Sequence, residues 1–188
     1  MNNLFSNIST QFYRFHEGTL SLADFEQWLY EKEAAVAAEV SPELHQQLLQ
    51  FNYRSKYAEA EFHKLFIAPM DWQCYEYWRL YRLLDSIIQK DAFYADSLAS
   101  VYELYCQGYT FLEQLALGYG LRLVAGFDRE ITDWQKVPEV DKLRLLGHDY
   151  EKVATAAEQV KNWLKKEQIV LTGKRYGELN RLEFEDKR

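Results

Sequence analysis

"MDWQCYEYWRLYRLL", residues 70–84, places five aromatic side chains in fifteen positions. At about 100° per residue, Tyr77, Leu80, Tyr81, Leu83, Leu84, Ile87 and Ile88 share one continuous band about 160° wide. That is the face of a helix turned toward a core, and it sets the expectation for the rest of the chain. Tyr75 and Trp78 fall outside the band, among Arg79, Arg82 and Asp85. They form either a second buried face, as on a helix in the middle of a bundle, or a contact surface, because Trp, Tyr and Arg dominate protein interfaces. On the second reading Tyr75, Trp78, Arg82 and Asp85 are the partner-binding residues.

The flanking sequence carries helix signals in both directions. In "LSLADF" Ser21 is a cap, Asp24 stands at the third helical position, and Leu20 can staple against Phe25. Leu22, Phe25, Trp28, Leu29, Val36 and Val40 then make one stripe, predicting a helix to about Val40 with Trp28 buried. "SPEL" puts Ser41 at the next cap and Pro42 at the first helical position, where its missing N–H costs nothing. A further short helix is expected from Ser55 to Phe66, stopped before Pro69, and Asp71 is placed to cap the helix of the opening stretch. The apolar positions from Leu98 to Leu115 cover well over half a wheel and predict a central helix. In it Gly108 lies mid-face and marks a close helix crossing. "YEKVATAAEQVKNWLKKE" (150–167) is amphipathic, with Tyr150, Val153, Ala157, Val160, Trp163 and Leu164 on one side. After it, "IVLT" and "RLEFED" alternate in the strand period around a Gly-containing connection. The expected fold is mainly α: a single-domain bundle of about six to eight helices over residues 1–167, with 168–188 a short hairpin or extended tail packed on the same domain.

Composition narrows the function classes. The chain has 188 residues, and 14 Tyr, 11 Phe and 5 Trp make aromatics 16% of it, above ordinary usage. With 29 acidic against 22 basic residues the net charge is −7, which disfavours a phosphate backbone as partner and favours a basic one. Lys165, Lys166, Lys174 and Arg175 are the densest basic patch, small within an acidic chain, so no nucleic-acid partner is expected. Cys74 and Cys106, 32 residues apart, fit neither a disulfide framework nor a zinc site. They are expected to be buried thiols. The apolar stretch 115–127 is too short to span a bilayer and contains Arg122, and the first residues have no secretory signal pattern, so the expected location is cytoplasmic.

Catalytic signatures are missing. The residues three before His16, His45, His63 and His148 are Tyr13, Pro42, Ala60 and Leu145, where a di-iron bundle needs Glu. "GYGLRLVAG" (118–126) lacks the preceding strand and lysine of a phosphate loop, and no Gly-x-Ser-x-Gly elbow occurs. No metal or cofactor is expected. The enzyme alternative rests on His148 or His63 acting with carboxylates from separate segments.

Three stretches, "LSLADFEQWLY" (20–30), "FNYRSK" (51–56) and "CQGYTFLEQLALGYGL" (106–121), together resemble small bacterial immunity proteins, the antidotes of polymorphic or contact-delivered toxins. The resemblance covers about the first two thirds of the chain. It implies a soluble cytoplasmic protein that binds one cognate toxin and blocks it, without catalysis of its own. An acidic inhibitor suits a basic toxin through electrostatic steering, and tyrosines beyond the needs of a core suit interface anchors. The resemblance assigns no site residue, and the sequence sets no oligomeric state.

Overall fold

The computed structural model describes residues 6–126, 136–138, 140–141 and 150–188. The fold is mainly α with a C-terminal two-stranded antiparallel hairpin. The chain divides into two compact units, Met1–Asp71 and Trp72–Arg188, and the hairpin belongs to the second. Each has a hydrophobic core of its own.

The first unit contains α1 (Asn7–His16), α2 (Leu22–Glu31), α3 (Glu33–Glu39), α4 (Pro42–Gln50) and α5 (Ala58–Phe62), which runs into a π-turn, His63–Ile67. Capping follows the sequence signals. Ser21 Oγ accepts the Asp24 N–H at 3.1 Å and donates to the Asp24 carboxylate at 2.6 Å. Ser41 Oγ accepts the Leu44 N–H at 3.2 Å, with Pro42 opening α4. Each such cap is worth about 1 kcal/mol. The π-turn closes with the Ala68 N–H on the His63 carbonyl at 2.8 Å, one residue before Pro69, so the helix ends where proline forbids its continuation.

The helix expected to reach Val40 breaks at Lys32, whose φ of −117° and ψ of 18° leave the helical region. Nothing in the sequence at Lys32 marks that break. Its consequence is tertiary: Val36 is buried, and Glu39 accepts from the Ile8 N–H at 3.2 Å and the Asn7 side chain at 2.6 Å. A carboxylate thereby covers the N-terminus of α1, where the helix dipole favours negative charge.

Phe62, wholly buried, is the hub of this core. Ring centroids of Phe15, Phe25, Phe51 and Phe66 stand 4.8, 4.9, 5.4 and 4.8 Å from it. Trp28, expected to be buried, is only partly so, lying at the edge of this core 5.8 Å from Phe25. Trp28→Ala is therefore expected to lower the urea midpoint by an amount equivalent to about 1–3 kcal/mol, below the 3–5 kcal/mol of a fully buried aromatic. A loss as large as that of a central ring would place Trp28 deeper than it stands.

The second unit begins with α6 (Trp72–Gln89), the helix of the quoted stretch. Its predicted band is core: Leu80, Leu83, Leu84 and Ile87 are buried, and Tyr77, Tyr81 and Ile88 pack against them. There follow α7 (Tyr94–Cys106), a 3₁₀ turn (Thr110–Leu112), α8 (Glu113–Leu115), a π-turn (Ala116–Gly120), α9 (Leu121–Gly126) and α10 (Tyr150–Lys165). On α10, Val153, Ala157, Val160 and Leu164 are buried as expected, while Tyr150 and Trp163 are partly buried.

The single helix expected over Leu98–Leu115 ends at Cys106, and Gly108 lies beyond it with φ +129°. Gly108 does mark a close approach, but to a strand: a Cβ there would stand 2.8 Å from the Leu182 carbonyl oxygen. The close helix crossing belongs to Gly120, where a Cβ would meet the Leu98 carbonyl oxygen at 2.6 Å. Gly120→Ala should destabilise by about 1–3 kcal/mol, the usual range for overpacking. A thermal midpoint equal to the parent's would show that α7 and the π-turn do not touch.

Strand β1 (Ile169–Tyr176) pairs antiparallel with β2 (Arg181–Asp186), from Ile169↔Asp186 at the base to Tyr176↔Arg181 at the tip, with a register shift between Leu171 and Arg175. Ile169, Leu171 and Leu182 face the core. Side-chain bonds tie the hairpin to α6: Gln73 Nε2 donates to the Leu171 carbonyl at 2.7 Å, and the Leu171 N–H donates to the Tyr77 hydroxyl at 3.2 Å. The Leu182 N–H donates to the Gln107 carbonyl at 2.8 Å. Residues 168–188 thus form a docked hairpin, the first of the two expected alternatives.

Candidate functional site: a groove in the first unit

The four residues expected to form a binding patch take different places. Tyr75 and Trp78 are buried, 6% and 8% exposed, which is the second-buried-face alternative, so they offer no exposed anchors. Arg82 is exposed, with its guanidinium 4.7 Å from the Trp78 ring centre. Asp85 is half-buried and ion-paired with Lys161 of α10. Burial on α6 therefore extends beyond the predicted band of Leu80, Leu83, Leu84 and Ile87 to Tyr75 and Trp78, although Arg79, Arg82 and Asp85 share that second side.

Other expected groups are also relocated. Cys74 and Cys106 are exposed, contrary to the expectation of buried thiols, because each lies off the apolar face of its helix. The basic patch is split: Lys165 ends α10 and Lys166 follows it, before the base of the hairpin, while Lys174 and Arg175 stand toward its tip. His63 is exposed, its ring 6.0 Å from that of His16. His148 lies outside the described residues. Among the described residues no group of three His, Cys, Asp or Glu side chains could hold a metal ion, so His63 has no ligand cluster around it. Nor is any described helix long and apolar enough to cross a membrane.

A concave site of about 560 Å³ lies within the first unit. One wall is the start of α2, with Ser21, Leu22 and Ala23; the other is the turn and helix start comprising Tyr53, Ser55, Lys56, Tyr57, Ala58, Glu59 and Ala60. The local sequence dictates the second wall. Asn52 Oδ1 accepts the Arg54 N–H at 3.2 Å, Ser55 Oγ accepts the Tyr57 N–H at 3.2 Å, and the Ala58 N–H donates to the Ser55 carbonyl at 3.1 Å. Short polar side chains thus fold "NYRSKY" into consecutive turns by bonding backbone groups two residues on.

Tyr53 anchors the turn. Its hydroxyl donates to the Leu48 carbonyl at 2.9 Å, and burial, reinforced by nearby Tyr30 and Glu26, pushes its pKa well above that of an ordinary phenol. Tyr57 is the opposite case, 63% exposed, with the Lys56 ammonium 5.5 Å from its ring centre. Tyr30, beside Tyr53, is 51% exposed.

The surroundings are acidic. Residues 1–71 contain ten Asp and Glu against five Lys and Arg, so this unit carries most of the net charge of −7. Glu59 lines the groove, Asp24 is bonded to Ser21 on its wall, and Glu26 lies near Tyr53. The Ser21 hydroxyl is occupied as a helix cap and that of Ser55 in its turn, and the lining includes no histidine or cysteine to act as base or nucleophile. Its chemistry is that of recognition: small apolar side chains, the exposed Tyr57 phenol, and the opposed charges of Lys56 and Glu59, with the Asp24 and Glu26 carboxylates beside it.

The sequence showed the Ser21 cap and a helix from Ser55, and both wall segments also fall within the resemblance as "LSLADFEQWLY" and "FNYRSK", but none of their residues was marked as a site. The available signal was the turn chemistry of Asn52 and Ser55 beside Tyr53 and Tyr57.

Comparison with protein-family models, with curated proteins and with solved structures finds no match to this chain.

Proposed function

We propose that this protein is an immunity-type inhibitor, which binds a basic toxin and blocks it through the groove of residues 21–60. The observation that supports the reading is the groove itself, where exposed Tyr57 and nearby Tyr30 are combined with Asp24, Glu26 and Glu59 in the more acidic unit. Tyrosine supplies large contact area at small entropic cost, and carboxylates around it speed encounter with a cationic surface. In this role the protein works in the cytoplasm, where a delivered toxin would act, and needs no cofactor. The test is binding of the toxin encoded beside its gene by the parent and by a Tyr57→Ala/Glu59→Lys variant. Both substituted residues are exposed, so folding should be little affected while affinity falls.

A further inference from the structure

The tip of the C-terminal hairpin carries side chains that folding does not require. Tyr176 is 53% and Leu179 75% exposed, in and beside a turn whose ends are Gly177 and Asn180, both at positive φ. Gly, Asn, Asp or Ser would serve such a turn equally well, and a leucine left in water contributes nothing to the core. Around these two stand Lys174, Arg175 and Arg181, all exposed, against one acid, Glu178. Apolar anchors inside a cationic rim are the composition of an interface.

The tip is also rigidly mounted. Thr172 Oγ1 donates to Glu183, Arg175 Nη1 donates to the Asn180 carbonyl at 3.2 Å, and the Asn180 N–H donates to the Gly177 carbonyl at 3.1 Å. Gly173 lies directly on the backbone of Trp72 and Gln73. A preordered projection loses little conformational freedom on docking.

The chain itself offers the complementary surface. The groove described above has Glu59 and Lys56 in its lining and Asp24 and Glu26 beside it, and within the more acidic unit a basic, apolar-tipped protein segment is the ligand class it suits. We infer that the hairpin tip of one molecule docks in the groove of a second copy of this chain; this rests on the reading of the groove as a site for a basic protein segment. Tyr176 and Leu179 cover exposed Ala23 and Ala60, which lie beside the buried Leu22 and Ala58, while Lys174 and Arg181 meet Glu59 and Asp24. The self-contact is weak and salt-sensitive, and a basic partner that takes the groove displaces it.

Sedimentation velocity on the full chain, from micromolar to near-millimolar concentration, tests this. The weight-average mass should rise above 22.4 kDa with concentration at low salt and return toward it in about 0.5 M salt, where the Debye length is only about 4–5 Å. A Lys174→Glu/Arg181→Glu variant and a Glu59→Lys variant, each checked for native circular dichroism, should both weaken self-association at least about tenfold. Mixing the two should restore it, because the reversed tip again meets an opposite charge. A parent that stays at 22.4 kDa throughout, or reversed variants that associate as the parent does, overturns the inference. So does a monomeric parent whose tip instead shifts the anisotropy of a labelled single-stranded DNA. Groove binding to a basic partner without self-association would overturn this inference alone and leave the proposed function standing.

Discussion

Phe62→Ala should lower the stability of the first unit by about 3–5 kcal/mol, the range for removing a fully buried aromatic. The effect belongs at the upper end, because four phenylalanine rings lie within 5.4 Å of the Phe62 centroid and lose their common neighbour together. Several are edge-to-face pairs, each worth about 0.5–1.5 kcal/mol beyond the area buried. The surrounding helices are short: α4 has nine residues and α5 five, so neither is stable without this packing. Urea denaturation followed by Trp28 fluorescence reads the loss, since Trp28 is the tryptophan of residues 1–71. An unchanged midpoint would mean that the ring cluster does not centre on residue 62.

Gly173→Ala should cost about 3 kcal/mol or more, an exceptional loss for adding one methyl group. The backbone there has φ +69°, and a Cβ would stand 2.3 Å from the Gln73 nitrogen and 2.6 Å from the Trp72 carbonyl carbon. Both neighbours are main-chain atoms at the start of α6, so no side-chain rotation relieves the clash. The hairpin must lift, which endangers the Gln73 and Tyr77 bonds to Leu171 and uncovers Ile169 and Leu171. Gly177→Ala is the matched control. Its φ is +70°, but nothing lies within 4 Å of the added carbon, so only the left-handed backbone is penalised, by about 1 kcal/mol. Equal losses from the two substitutions would show that the β1–α6 contact does not constrain residue 173.

The contrast between these two glycines shows what the sequence could reveal. The sequence put both in the connection between "IVLT" and "RLEFED", whereas Gly173 lies within β1 at its register shift and Gly177 opens the turn. Which of them touches another element depends on packing across about a hundred residues, and no local pattern records it. Gly108 illustrates the same limit: its setting in an apolar run suggested a mid-helix crossing, whereas the run is broken by a turn and the glycine supports β2. Signals confined to one turn of chain were reliable, as at Ser21, Ser41 and Pro42. So was the apolar band of α6, because seven residues repeating in the helix period leave one orientation that buries them. Tyr75 and Trp78 could not be assigned from the wheel, since periodicity separates faces without saying how many are covered. The groove was the least visible feature. Its walls come from residues 21–23 and 53–60, brought together by the packing of α2 and α5 around Phe62; the Ser21 cap and the turn chemistry of "NYRSKY" are local signatures, but nothing local joins the two walls.

On the proposed reading, calorimetric titration of the parent and the Tyr57→Ala/Glu59→Lys variant with a toxin encoded beside the gene tests the groove's role most directly. The parent should bind tightly, and the variant should keep its melting temperature while losing more than about 2 kcal/mol of binding free energy, a factor of about 30 in Kd. Salt should slow association of the parent more than of the variant, since Glu59 contributes to steering. A parent that shows no binding at micromolar concentration, or a variant that binds as tightly as the parent, would contradict a groove-based inhibitor.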